Sequence, residues 1–262
     1  MSGSRVVTVE RDGDVLRIGV DRAAKRNAWD RQVTRELAEA YEELGDSDAR
    51  VGLVFGHGEH FSAGLDLADV LPAVQDGGPA ALSGGGRFDP FGLWGEPVPK
   101  PVVLAVQGIA FTLSIELALA SDIVVAADDV RFRQLEIGRG ILPFGGATLR
   151  APLQLGWGNA MRWILTAEEF GAEEALRIGL VQEVVPAGQQ LERAAEIART
   201  VAAQAPLGVR GTLANARVAQ RSEERRAAEH LQKVLPTLLA SEDSAEGLAS
   251  FLERRPARFL GR

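Results

Sequence analysis

The chain has 262 residues, 46% of them apolar, enough for one large domain or for a core with a small appendage. It contains no cysteine, which excludes disulfides and thiolate metal sites, and its formal charge of −7, with acids and bases intermixed, argues against a general nucleic-acid binder. No window is apolar for long enough to span a membrane, and "MSGSRVVTVERDGDVLRIGV" lacks the basic-then-apolar pattern of a signal, so a cytoplasmic protein without membrane contact is expected.

The elements follow from periodicity. "VVTVE" and "VLRIGV" alternate apolar and polar residues around "RDGD", an Asp-Gly turn, and predict a β-hairpin. Val33, Leu37, Ala40, Tyr41 and Leu44 recur at three- and four-residue spacing and predict a helix closed by Gly45. "VGLVFG" (51–56), "PVVLAVQG" (101–108) and "DIVVAAD" (122–128) read as buried strands, and the apolar helical run between the last two makes 102–127 a strand–helix–strand crossover. The segment from Leu71 to Pro99 is rich in Gly and Pro and reads as a long irregular loop, a functional lid or a mobile stretch, with Phe88, Phe91 and Trp94 needing apolar surroundings. Beyond Pro143 the pattern is helical, broken by the short strand "LVQEVV" and continued by a long helix from Leu191 to Ala203. Further helical stretches follow at "VRGTLANARVA", "SEERRAAEHLQKVLPTLLA" and "SAEGLASFLERR". Two regions are expected: a core of strand and helix repeats over 1–200, and a helical region over 201–262 that packs on the core or on a second subunit.

The chemistry-bearing residues are few. Glu116 is the one charge within "GIAFTLSIELALAS", and Glu136 lies between Leu135 and Ile137. Unpaired buried carboxylates are costly and shift their pKa. On residue type alone a structural role is favoured for each, satisfying a helix end or an arginine; a pair holding water as acid and base is the alternative. His57, His60 and His230 lack the spacing of a metal site, and no metal is expected. Ser62 and Ser114 lack the setting of a nucleophile elbow, and "GGG" at 84–86 precedes neither a Lys-Ser/Thr pair nor a helix. "FSAGLD" and "GIAFTLS" both follow strands and lead into helices, where free N–H groups cluster; two such groups converging on one oxygen would form an oxyanion hole.

The ordered set "RNAW" (26–29), "HFSAGLDL" (60–67), "KPVVLAVQGIAFTLSIELALASDIVVAADD" (100–129) and the run from Phe132 to Pro186 resembles the crotonase superfamily, and within it the enoyl-CoA hydratases and isomerases. The resemblance spans nearly the whole chain, to the tail "FLERRPARF". It implies an α/β fold, a spiral of ββα repeats with a helical C-terminal region that forms trimers, often paired into hexamers. It also implies an acyl-CoA substrate, with coenzyme A as part of that substrate and no separate cofactor. Residue by residue, it carries oxyanion N–H donors to Leu65 and Leu113, the two catalytic glutamates to Glu116 and Glu136, and coenzyme A contacts to Arg26, Ala63 and Arg254. Phe88, Phe91 and Trp94 are expected to contribute to the acyl pocket. One departure stands out: Thr112-Leu113-Ser114 occupies a place where such proteins usually carry glycines, and its side chains add bulk beside the thioester.

The implied reaction is syn addition of water to a trans-2-enoyl-CoA, because both glutamates are present. Alternatives are another reaction through the same enolate (isomerisation, thioester hydrolysis or decarboxylation) or an acyl-CoA-binding protein with little catalysis.

Overall fold

In the computed structural model, which describes residues 5–260 and only the backbone at 219–228, 230, 231 and 234, the alternating start of the chain forms the expected hairpin. Strand β1 (Val7–Asp12) pairs antiparallel with β2 (Val15–Val20), and Gly13 turns the chain at φ 59°. Helix α1 (Arg31–Asp46) begins where the Asp30 carboxylate accepts the Val33 N–H at 2.9 Å, and it runs one residue past Gly45. Strand β3 (Val51–Gly56), helix α2 (Leu67–Gly77), strand β4 (Val102–Val106), the short β5 (Ile109–Phe111) and helix α3 (Leu113–Ala120) follow. Next come β6 (Ile123–Ala127), β7 (Arg131–Arg133), α4 (Ala147–Gln154), α5 (Trp157–Thr166), β8 (Glu169–Gly171), α6 (Ala172–Ile178) and β9 (Glu183–Val185). Helices α7 (Gln190–Ala202), α8 (Pro206–Leu239) and α9 (Glu242–Glu253) complete the chain. Residues 1–4 and 261–262, and the His230 side chain, lie outside the described residues.

The strands form two sheets that advance together. The larger has the order β1-β2-β3-β4-β6-β9, parallel from β2 onward; the smaller has the order β5-β7-β8. The parallel bridges Trp29–Leu65 and Ser62–Ala110 extend the smaller layer back along the chain. Each turn therefore adds a strand to the large sheet, then an extended stretch to the small layer, then a helix: β2, Trp29, α1; β3, Ser62–Leu65, α2; β4, β5, α3. This is the expected spiral of ββα units. The crossover over 102–127 is present, with β5 inserted before its helix.

Two cores hold the layers together. One face of the large sheet packs on α7 through Ala194, Ala195, Ala198 and Ala202, small residues that let helix and sheet approach closely. The other buries Leu16, Ile18, Val54 and Leu104 with Val33, Leu37 and Leu44 of α1, each such side chain contributing about 1.5–3 kcal/mol.

Two expectations are corrected. The segment 71–99 is not irregular throughout: α2 covers its first part, a 3-10 turn spans Pro79–Ser83, and the rest is organised around Asp89. The Asp89 carboxylate accepts the N–H groups of Phe91 at 2.9 Å and of Leu93 and Trp94 at 2.8 Å each. The stretches "VRGTLANARVA" and "SEERRAAEHLQKVLPTLLA" are one continuous helix, α8, of 34 residues.

Asn27 ties the end of β2 to the loop after β3. It is fully buried with φ 51°; its Oδ1 accepts the Arg22 N–H at 2.8 Å, and its Nδ2 donates to the carbonyls of His57 and His60 at 2.8 Å each. Asn27→Leu removes all three bonds and puts a branched side chain at positive φ, so it is expected to lower stability by about 3 kcal/mol, measured by chemical denaturation.

Candidate active site

Three turns of the spiral meet at Ser62. Its N–H donates to the Ile109 carbonyl at 3.0 Å, its carbonyl accepts from the Phe111 N–H at 3.0 Å and the Ser114 hydroxyl at 3.3 Å, and its own hydroxyl donates to the Asn27 carbonyl at 2.7 Å. The segment after β3 and the segment after β5 are thereby laid side by side. Gly64 is where they touch: φ is 91°, and a Cβ there would lie 2.0 Å from Thr112 Oγ1. Only glycine fits.

Hydrogen bonding in these segments is selective. The Ala63 N–H goes to the Arg26 carbonyl at 2.9 Å, Gly64 N–H to Ser62 Oγ at 3.0 Å, Asp66 N–H to the Trp29 carbonyl at 2.8 Å and Thr112 N–H to the Arg133 carbonyl at 2.9 Å. The N–H groups of Leu65 and Leu113 have no acceptor among the described residues. Leu113 is the first residue of α3, where backbone donors are free by construction. The two expected oxyanion donors therefore lie in adjacent segments, both unspent.

Glu116, in the first turn of α3, is buried. Its Oε1 accepts the Gly145 N–H at 2.8 Å and the Ala147 N–H at 3.0 Å, both from the start of α4. Oε2 rests against Gly145, where a Cβ would come within 2.5 Å of it. Burial raises the Glu116 pKa to about 7, opposed by these backbone donors and by the Arg150 charge. Glu136 opens a 3-10 turn, Glu136–Arg139, and is also buried. Its Oε1 accepts from Gln134 Nε2 at 3.1 Å, and its Oε2 has no partner among the described residues. Burial first, and then the charge of Glu116, hold its pKa well above the ordinary carboxylate value. The two environments differ: the donors that favour an ionised Glu116 come from the start of α4, whereas those at Glu136 are its own N–H and that of Leu135, with the charge of Glu116 opposing them.

A pocket of about 80 Å³ opens beside Glu136, lined by Ala63, Leu65, Leu67, Thr112, Leu135, Glu136, Arg139, Ile141 and Phe251 of α9; Leu113 and Glu116 lie outside this lining. Arg26 is exposed at φ 51° and is linked to the pocket through its carbonyl on Ala63. Arg254 is exposed at the end of α9, three residues beyond Phe251, with φ 55°. Phe88 and Phe91 are core residues: Phe88 packs against Gly45 and Phe91 against Trp29, ring centroids 5.7 Å apart. Phe91 faces a different cavity, of about 310 Å³, lined also by Tyr41, Asp122 and Arg217 at the far end of α3. Trp94 is half-buried against the core. None of the three aromatics is in the lining of the pocket at Glu136, because Asp89 folds their loop onto α1 and the core. His57 Nε2 meets Thr8 Oγ1 at 2.8 Å, and no group of three candidate metal ligands occurs among the described residues.

Thr112 and Arg139 were not singled out as site residues, although both line the pocket. Thr112 has φ 50° and ψ −110°, a conformation natural to glycine that costs a β-branched residue about 1–3 kcal/mol. The signal for it in the sequence was the missing glycine. The stretch from Gly145 to Ala147, where Gly145 and Ala147 donate to Glu116, had the signal of a helix start.

A sequence profile of the enoyl-CoA hydratase/isomerase family matches residues 10–262. The chain belongs to that family, in the crotonase superfamily. Carnitinyl-CoA dehydratase of Escherichia coli K12 is 35% identical over 268 residues, covering 99% of this chain and all of the relative. Among solved structures, a "probable enoyl-CoA hydratase/isomerase" from Mycobacterium abscessus is 50% identical, with a TM-score of 0.79, covering 98% of this chain and 99% of that one. A carnitinyl-CoA hydratase from Mycobacterium avium is 31% identical, with a TM-score of 0.87, covering 99% and 100%. The fold is thus the crotonase fold with a helical C-terminal region, and membership supports a hydratase-type lyase acting on acyl-CoA substrates. No described helix is long and apolar enough to cross a membrane.

A raised pKa in the folded state means that Glu136 binds its proton more tightly there than in the unfolded chain. Its contribution to stability is full below its ordinary value of 4.5 and is lost as pH rises through the folded-state value. Glu136→Gln has no proton to lose. The variant is therefore expected to melt above wild type at pH 8, with the difference closing towards pH 4, as followed by thermal unfolding across pH.

Proposed function

We propose that the protein is an enoyl-CoA hydratase that adds water across the double bond of a trans-2-enoyl-CoA. The observation that carries this reading is the pair of buried carboxylates, Glu116 and Glu136, with different hydrogen-bond surroundings. The thioester oxygen sits against the Leu65 and Leu113 N–H groups, which stabilise the enolate formed on attack; one such donor contributes about 3–4 kcal/mol to the transition state. Coenzyme A lies along Arg26 and Ala63, and Arg254 reaches its phosphates from a neighbouring subunit. Glu116, eased towards ionisation by the Gly145 and Ala147 N–H groups, takes the proton of the water that attacks C3. Glu136, which retains its proton, delivers it to C2. Isomerisation through the same enolate would need one of these groups, and the presence of both favours hydration.

The same reading covers assembly. Leu153, Trp157, Leu165 and Leu176 on α4 to α6 are exposed, Trp157 at 71%, and their burial between subunits fits a homotrimer or a pair of trimers.

Purified protein is expected to discharge the ultraviolet absorbance of crotonyl-CoA and to give a product heavier by one water. The rate should rise with pH as Glu116 ionises near 7 and fall again where Glu136 loses its proton. Glu116→Gln and Glu136→Gln should each lower kcat by at least a hundredfold in folded protein. Unchanged absorbance with crotonyl-CoA and with longer enoyl-CoAs would overturn the reading, and a mass-neutral product would point to isomerisation.

The acyl group is constrained by Arg139. Its guanidinium lies 4.3 Å from the Phe251 ring centroid and has no carboxylate within ion-pair distance among the described residues. A cationic acyl group would meet the like charge of Arg139, offset in part by Glu136, and a penalty of about 1.4 kcal/mol corresponds to tenfold in rate. Crotonyl-CoA is therefore expected to exceed the quaternary-ammonium trans-2-enoyl-CoA that carnitinyl-CoA yields on losing water, in kcat/KM for hydration, by about tenfold, and Arg139→Leu should narrow the gap. Preference of the wild-type protein for that quaternary-ammonium enoyl-CoA over crotonyl-CoA would overturn this assignment.

A further inference from the structure

Thr112 is held in a conformation that glycine would adopt without strain, and its hydroxyl is buried with no hydrogen-bond partner among the described residues. The residue is 9% exposed and lines the pocket with Glu136. Buried hydroxyls are rarely left unpaired, and one that is calls for a ligand or a function. A bystander would have been served by glycine, alanine or valine.

The position of the hydroxyl is informative. Thr112 Oγ1 lies 2.0 Å from the point where a Gly64 Cβ would be, so it fills the notch that the glycine leaves open. Gly64 directly precedes Leu65, and Thr112 directly precedes Leu113. The hydroxyl therefore sits between the two segments whose N–H groups at Leu65 and Leu113 lack acceptors. A threonine hydroxyl can donate one hydrogen bond, as those N–H groups can.

We infer that the Thr112 hydroxyl is a third donor to the thioester carbonyl oxygen, a side-chain member of the oxyanion hole set between the backbone donors of Leu65 and Leu113. The inference rests on reading the pocket as an acyl-CoA thioester site. It gives the Thr-Leu-Ser triplet a role: the side chain that crowds the glycine turn also supplies a proton donor where negative charge develops. No covalent bond to Thr112 forms. The hydroxyl proton stays on its oxygen, and the hydrogen bond shortens as the carbonyl becomes an enolate.

Thr112→Val keeps the branched shape and the backbone strain and removes only the hydroxyl. With crotonyl-CoA it is expected to lower kcat at least tenfold with little change in KM, because a donor to the oxyanion acts mainly in the transition state. Thr112→Ser, which keeps the hydroxyl, should recover most of the loss. Thr112→Gly, free of both strain and hydroxyl, should be as impaired as the valine variant. Difference infrared spectra of bound crotonyl-CoA supply a readout independent of turnover: the thioester carbonyl stretch should fall in frequency on wild type and fall less on Thr112→Val. Equal turnover and equal carbonyl shift in wild type and Thr112→Val would overturn this inference and leave the hydratase reading standing. A gain of activity in Thr112→Gly would also overturn it, since crowding would then be the side chain's effect. A wild-type protein that binds crotonyl-CoA without shifting its carbonyl would overturn the oxyanion site itself, and the inference with it.

Discussion

Everything at the pocket depends on the way Ser62 stitches three turns of the spiral. Its backbone and hydroxyl bond to Asn27 of the repeat before it and to Ile109, Phe111 and Ser114 of the repeat after it. Serine is small enough to be fully buried there and has the acceptors and donor that the junction needs. Because the stitch is mostly backbone, it sets the separation of two chain segments rather than of two flexible side chains. The Leu65 and Leu113 N–H groups are consequently positioned by the fold. Donors held in this way need no reorganisation when charge develops, which is the basis of oxyanion-hole catalysis.

The same logic explains how two identical side chains acquire different surroundings. Glu116 and Glu136 are both glutamates and both buried, so desolvation alone would leave both protonated at neutral pH. The start of α4 breaks the symmetry. Its N–H groups at Gly145 and Ala147 reach one Glu116 oxygen, and they can do so because Gly145 has no side chain to displace that carboxylate. Glu136 has the Gln134 amide and the backbone N–H groups of Leu135 and of its own residue around it, and feels the charge of Glu116. Ionising one glutamate makes ionising the other harder. The two carboxylates therefore sit in different surroundings, and the proposed division of roles rests on that difference.

Legibility in the sequence followed the length over which a physical signal repeats. The hairpin, α1, β3, β4 and β6 each carry several residues of alternation or three-four spacing, and all were evident. The strands of the small sheet are three residues each, too short for any periodicity, so only the strands of the large sheet were anticipated. Helix α2 was concealed by Pro72 inside it and by the Gly-rich chain beyond it. Helix α8 reads as two stretches because the polar sequence "QRSEERR" (220–226) lies between its apolar parts. At the site, Glu116 was legible because a lone charge in an apolar run needs an account. Its partners were not, since Gly145 and Ala147 lie 29 and 31 residues away and act through backbone atoms that any sequence would provide. The aromatics of the 84–99 loop misled for a related reason: an apolar side chain announces that it will be buried but not where, and Asp89 decided that.

The departure from glycine at Thr112 now has two opposed consequences. A branched residue at φ 50° is strained, and the bonds of Ser62 and the Arg133 carbonyl on either side are what hold it there. Strain of this kind persists only where the surroundings over-determine the backbone, and that rigidity is the property an oxyanion hole requires. Glycine would relax the turn and add freedom to the segment carrying the Leu113 N–H. Threonine gives up some stability, fixes that segment, and adds a hydroxyl at its edge. On the reading proposed above, the threonine acts in the same direction as the stitch at Ser62: both commit chain flexibility to holding donors still.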